Sequence, residues 1–173
     1  VCIHGAGGSA IALTIHFCKI EKSRCPAKIF VTDNNEKRLK HMEKVHKQMK
    51  YQIPIEYILC KTAKKNNNIV EKLREGAIVI NATGLGKDSP GSPITDAVVF
   101  PKNGLVWDFN YRGDLMFLDQ AKAQQESRNL TIHDGWNYFI HGWLSVISEV
   151  FNIIVPSEGP EFQELSIIAA NLR

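Results

Sequence analysis

At 173 residues and 19.5 kDa, with 44% hydrophobic, 9% aromatic and 23% charged residues, the chain has the make-up of an ordinary globular domain, which excludes disordered, collagen-like and mini-protein classes. A length of this order buries roughly 70% of the unfolded surface, so the core needs no disulfide or metal. The net charge of +3, from 21 basic and 18 acidic residues, is too small to imply a polyanion partner.

Val1-Cys2-Ile3-His4 reads as a short buried strand entering the turn Gly5-Ala6-Gly7-Gly8-Ser9-Ala10, with a helix over 11–21 behind it. Residues 27–32 form the next strand, and Asp33-Asn34-Asn35 opens a charged helix through about Lys50 whose buried stripe is Leu39, Met42, Val45 and Met49. A third strand spans 55–59, a solvated loop Lys64-Lys65-Asn66-Asn67-Asn68, a short helix 69–74, and a fourth strand 77–80 ends at Asn81-Ala82-Thr83. Further on lie a strand 105–109, a helix 115–125, a strand 130–133 and a helix 138–151. Pro156-Ser157-Glu158-Gly159-Pro160 breaks the pattern before a last helix over 161–172. Strands that read as continuous apolar runs and alternate with helices require a mostly parallel sheet covered on both faces. The expected fold is therefore a Rossmann-like, doubly wound α/β domain over 1–155, followed by a C-terminal helical segment 156–173 free to pack elsewhere.

In Gly5-x-Gly7-x-x-Ala10 the first glycine permits a tight turn, the second lets a pyrophosphate approach the backbone, and the small third residue lets helix and strand pack closely. The exposed N–H groups at the helix start favour an anion. Asp33, closing the next strand about twenty residues on, offers a carboxylate to the ribose hydroxyls of NAD and repels the 2′-phosphate of NADP. NAD is favoured on this ground, against the counter-reading that Asp33 caps the helix and that Lys37 and Arg38 reach a phosphate.

Together Gly5-Ala6-Gly7-Gly8-Ser9-Ala10-Ile11-Ala12, Asn81-Ala82-Thr83-Gly84-Leu85-Gly86, Val106-Trp107-Asp108-Phe109-Asn110-Tyr111 and Asp134-Gly135-Trp136 resemble the cofactor domain of the shikimate/quinate dehydrogenase family over residues 1 to about 152. The resemblance implies an oxidoreductase of aromatic amino-acid biosynthesis that moves a hydride between NAD(P) and a polyol ring acid. It assigns the pyrophosphate to Gly5, Ala6, Gly7, Gly8, Ser9 and Ala10, and the cofactor's length to Asn81, Ala82 and Thr83. Gly135 is expected beside the nicotinamide and Tyr111 beside the substrate. Asp33, Asn34, Arg38 and Asp108 complete the expected cofactor set; NADP-using members carry a clamp after the second strand of which only Arg38 is kept. Two departures are visible: Gly113 and Met116 stand where the family has proline and threonine, and Gly142 where it has a substrate-touching glutamine.

Hydride transfer needs a general acid/base beside the alcohol. The family carries it as a lysine and an aspartate on a preceding lobe, so no residue here maps to that role and an upstream segment is expected before Val1. Of the histidines, His4 and His133 are expected as hydrogen-bonded core residues, with His141 the better candidate for a ligand contact. The cysteines Cys2, Cys18, Cys25 and Cys60 are unpatterned, and apolar runs such as Ile78-Val79-Ile80 fall far short of the ~20 residues of a membrane span, which together favour a reducing, cytoplasmic setting. The expected partners are a small-molecule substrate and a second copy in a homodimer, with neither membrane nor nucleic acid, since Glu36 and Glu43 interrupt the basic helix and no aromatic interleaves it. The rival reading is a non-catalytic dinucleotide-binding module.

Overall fold

The computed structural model describes residues 1–49 and 52–171. Six strands, β1 (Cys2–His4), β2 (Ile29–Asp33), β3 (Ile55–Leu59), β4 (Ile78–Asn81), β5 (Leu105–Asp108) and β6 (Thr131–His133), form one sheet in the order β3-β2-β1-β4-β5-β6. All pairs are parallel. The expected doubly wound fold is present, and its strand order reverses between β1 and β4, which opens a crevice at their carboxyl ends. The helices are α1 (Gly8–Phe17), α2 (Glu36–Gln48), α3 (Ala63–Val70), α4 (Met116–Lys122), α5 (Gln125–Arg128), α6 (Trp136–Phe151) and α7 (Gly159–Ala170).

Two apolar clusters cover the two faces of the sheet. Ile3, Val31 and Ile80 pack with Ala10 of α1 and Leu39 and Met42 of α2, while Val79 and Val106 pack with Val70 of α3 and Phe117 and Leu118 of α4. Alternate residues of β4 and β5 thus serve opposite cores, which is why these strands read as unbroken apolar runs.

Several boundaries depart from the sequence reading. The first helix starts three residues earlier, at Gly8, and ends at Phe17, so the glycine turn runs directly into the helix N-terminus. Lys64–Asn68 is no solvated loop: it belongs to α3, which Thr62 caps by accepting from the Lys65 N–H, and Asn66 and Asn67 are buried. No helix occupies 71–74. In α2 the buried stripe passes through Leu39, Met42 and His46, with Met49 41% exposed, because His46 hydrogen-bonds inward to Thr14 of α1 and Tyr57 of β3. Lys50, the expected end of that helix, lies outside the described residues. The expected helix 115–125 is two short helices, α4 and α5, and Leu115 stands outside them with φ +47°. Helix α6 begins at Trp136, and α7 begins at Gly159 with Pro160 in its first turn, where proline starts a helix instead of breaking it. The expected end of α7 at Leu172 lies outside the described residues. His133 is exposed, against its expected core role, while His141 stacks on Phe162 of α7 at 4.4 Å.

Candidate dinucleotide site

Backbone sterics shape the turn after β1. Gly5 sits at φ +105°, and a Cβ there would come 2.7 Å from the Ala82 carbonyl oxygen, so only glycine lets the turns after β1 and β4 approach. The approach is held by the Ala82 N–H donating to His4 O at 2.8 Å and the Gly5 N–H donating to Thr32 O at 2.7 Å. Gly7 then caps α1 with no side-chain hydrogen bond, and no acid lies in the first turn. Added Cβ atoms at Gly7 and Gly8 would meet nothing within 4 Å. A helix start with unfilled N–H groups facing open space fits a pyrophosphate. Ala10 packs in the core, where its small side chain lets α1 approach the sheet.

Asp33 ends β2 and is buried. Its Oδ2 accepts the Ala6 N–H at 2.8 Å and its Oδ1 the Asn35 N–H at 2.7 Å, so the carboxylate links the glycine turn to the turn before α2. The helix cap is Asn35, whose Oδ1 accepts from Lys37 and Arg38. Each Asp33 oxygen keeps a lone pair, the capacity a ribose diol needs.

A cavity of about 650 Å³ runs along this edge, and it brings together Gly5, Gly7, Asp33, Asn34, Arg38, Ala82 and Thr83 of the expected set. Lys37 does not line it. The structure adds residues the sequence reading passed over: Lys61 and Thr62 after β3, Asn66 of α3, and Ser89 to Pro93 of the loop after β4, of which Ser89, Ser92 and Pro93 face the cavity. Lys61 Nζ donates to Asn34 O at 2.7 Å, which anchors the turn beside Asp33. No local motif marks these positions, because they meet only across the sheet edge.

A polar row crosses the sheet at one register, with Thr32 and His4 at the cavity floor and Asn81 and Asp108 beneath it. His4 Nδ1 and Thr32 Oγ1 share a 2.9 Å hydrogen bond, so His4 is the core histidine expected, and burial draws its pKa down to about 4. Asp108 Oδ1 accepts from Asn81 Nδ2 at 3.1 Å and from the Asn110 N–H at 2.9 Å. Burial outweighs these donors and pushes the Asp108 carboxyl up to about 6. Asn81 Oδ1 in turn accepts from Thr83 N and Oγ1, at 3.0 and 2.6 Å, which fixes the Asn81-Ala82-Thr83 turn. Asn81 and Asp108 are fully buried, so they shape the cavity from below instead of lining it.

The other half of the crevice, over β5 and β6, holds Gly135 and Tyr111. Gly135 donates its N–H to Asn110 O at 3.0 Å, and a Cβ there would overlap the Phe109 carbonyl. Tyr111 stacks on Phe139 of α6 with ring centroids 4.0 Å apart. Gly113 has φ +90°, and a Cβ there would overlap the Gly86 carbonyl, so the loop after Tyr111 cannot carry the proline of the family pattern. Among the described residues no group of histidine, cysteine and acidic side chains could hold a metal, and no helix is long and apolar enough to cross a membrane.

A parallel sheet in this order, with a glycine turn and an acid at the ends of its first two strands, defines the doubly wound, Rossmann-like α/β class. No protein-family model matches the chain, and no curated protein matches it by sequence. Among solved structures it is similar to shikimate 5-dehydrogenase from Listeria monocytogenes in complex with shikimate and NAD, at 16% identity and TM-score 0.66 over 95% of this chain and 54% of that one. The corresponding enzyme from Thermus thermophilus in complex with shikimate gives 17% identity and TM-score 0.62 over 98% of this chain and 54% of that one. Quinate dehydrogenase from Corynebacterium glutamicum in complex with NAD gives 19% and 0.62 over 85% and 48%. The chain spans about half the length of each of these structures. The resemblance read from the motifs is thus borne out at the level of the fold.

Proposed function

We propose that residues 1–155 are the nicotinamide-dinucleotide-binding domain of an oxidoreductase of shikimate/quinate dehydrogenase type, and that 156–173 pack on a separate substrate lobe. The observation that carries this is the cavity at the β1/β4 switch point, where an unfilled helix start, the Asp33 carboxylate and the Asn81-Ala82-Thr83 turn face one another. The α1 start receives the pyrophosphate, Asp33 the adenosine ribose, and Ala82 and Thr83 flank the dinucleotide. NAD is the cofactor rather than NADP, because the Asp33 carboxylate disfavours a 2′-phosphate and Lys61 already bonds the Asn34 carbonyl. Bound there, the nicotinamide supplies or accepts the hydride. The substrate, a small polyol ring acid, lies beside Tyr111 and Gly135, and the proton is handled by a lysine and an aspartate of the substrate lobe. Four free cysteines support a cytoplasmic setting.

Titration with NADH and NADPH, followed by dinucleotide fluorescence, tests the reading. Gly8→Asp puts a carboxylate where the pyrophosphate belongs, in space that is open, so it should retain the fold by circular dichroism and weaken NADH binding at least about 100-fold. Asp33→Ala should weaken NADH and narrow its advantage over NADPH. Saturable binding unaffected by Gly8→Asp would sink the assignment.

A second reading is a dinucleotide-binding module without turnover, favoured by the positive-φ backbone at Gly113 and Leu115 beside Tyr111, which excludes a proline at 113. Paired with a substrate lobe carrying the lysine and aspartate, the enzyme reduces NAD with a polyol acid, whereas a module binds NAD and leaves it oxidised.

A further inference from the structure

A single peptide unit joins Asn34 to Asn35, and both of its polar ends are occupied. Its N–H, that of Asn35, donates to Asp33 Oδ1 at 2.7 Å, and its C=O, that of Asn34, accepts from Lys61 Nζ at 2.7 Å. Because a peptide is planar, the two bonds together fix which way it faces. The grip comes from two elements: Asp33 ends β2, and Lys61 lies two residues beyond Leu59, the β3 residue paired with Asp33. Asp33, Asn34 and Lys61 all line the cavity. A half-turn flip of this peptide would carry the Asn35 φ from −114° into the left-handed region, which asparagine adopts more readily than most residues, as Asn103, Asn129 and Asn152 do in this chain. The peptide thus has two sterically open orientations.

The two orientations suit different cofactors. As observed, the N–H steadies the Asp33 carboxylate that a ribose diol needs, and the carbonyl oxygen at the rim is an acceptor that opposes a 2′-phosphate. Flipped, the peptide would offer its N–H to that phosphate and take a hydrogen bond from Asp33. A lysine at the rim favours a phosphate by charge alone. Here its hydrogen bond works the other way, because it holds the carbonyl outward. The Glu36 carboxyl is kept below its ordinary range first by the hydrogen bond from Lys40 and more weakly by the Lys61 charge, so the ammonium also faces an anion of this protein. We propose that Lys61 is a positioning residue for cofactor choice: by holding the Asn34 carbonyl it keeps the peptide N–H on Asp33 and so favours NAD over NADP. This rests on the dinucleotide reading above.

The experiment titrates NADH and NADPH, by dinucleotide fluorescence, into the wild type, Lys61→Met and Lys61→Arg, with the fold checked by circular dichroism. Lys61 is exposed, so the variants should fold, and Lys61→Ala replaces one that does not. Lys61→Met should weaken NADH about threefold to tenfold and leave NADPH unchanged or tighter, which narrows the preference for NADH. Lys61→Arg keeps a charged donor and should restore the wild-type ratio. A preference that widens in Lys61→Met, because NADPH alone weakens, overturns the inference and makes Lys61 a phosphate ligand. An equal loss of both affinities also overturns it, since that pattern belongs to a residue that only braces the turn. An unchanged NADH affinity overturns it as well and leaves the dinucleotide reading standing. Failure of the wild type to bind either dinucleotide overturns the parent reading and this inference with it.

Discussion

The first βαβ unit and the α6–α7 end are both built from apolar helices, yet they bury their apolar residues to very different degrees. Around β1, α1 and β2, Ile3, Ala10, Ile29 and Val31 are wholly removed from solvent, and the polar groups at the turn are tied by Asp33 and Asn35. In α6 only Ile140 is buried, and α7 has no buried residue. Trp143, Val146 and Val150 stand 53%, 50% and 69% exposed at helical spacing, joined by Phe151, Ile153 and Ile154 beyond them. An apolar stripe at helical spacing favours a helix, but only the tertiary arrangement says whether the stripe has a partner. Helix α6 is joined to the sheet through the segment after β5, with Phe109 stacked on Tyr138 at 4.7 Å, Tyr111 on Phe139, and Gly135 against the Phe109 backbone.

The sharpest way to break this contrast is at that junction. Gly135→Ala forces a Cβ onto the Phe109 carbonyl and should cost about 3 kcal/mol or more in urea unfolding, whereas Gly8→Ala, with open space and a helical position, should be near neutral. Next comes the core of the first unit: Met42→Ala, at 0% exposure, should cost about 2–5 kcal/mol by the same measurement.

The polar row beneath the cavity yields a prediction in pH. Folding raises the Asp108 pKa from 3.8 to about 6, so the native state holds the extra proton in that window and stability falls as pH rises through it. Folding lowers the His4 pKa from 6.5 to about 4, so the unfolded state holds the extra proton and stability rises with pH over almost the same window. Each effect is about 3 kcal/mol in size, and they oppose. The wild type should therefore show a flat stability profile from pH 4 to 6, on the order of 1 kcal/mol of change or less, and Asp108→Asn should expose the histidine slope, losing stability as pH falls. A wild-type profile as steep as that of Asp108→Asn would show that the two groups do not offset. The smallest effect belongs to the exposed end: Val150→Ser should change unfolding free energy by no more than about 0.5 kcal/mol.

Much of this was legible in the chain because it is local. The Gly5-to-Ala10 turn, the Asp33-Asn34-Asn35 signal and the apolar runs of β1, β4 and β5 announce strand, turn and helix within windows of ten residues, and parallel order follows from their alternation. The α3 segment resembles a loop in sequence for the opposite reason. Its polar run of lysines and asparagines looks solvated, and only the hydrogen bonds of Asn66 and Asn67 to Pro93 and Thr95, about 28 residues on, explain their burial. His46 escaped notice likewise, because its partners Thr14 and Tyr57 come from other elements.

The sequence by itself determined the strand order along the chain, the parallel sheet and the glycine-and-acid pattern of the proposed dinucleotide site, since periodicity and turn chemistry act over a few bonds. Only the tertiary structure decided that Asp33 ties two turns together, that Lys61 and Asn66 line the same cavity, that Gly113 packs its backbone against Gly86, and that the α6 stripe stays exposed. Those are matters of which groups meet across the sheet edge, and burial, steric overlap and hydrogen-bond satisfaction exist only once distant segments are brought together.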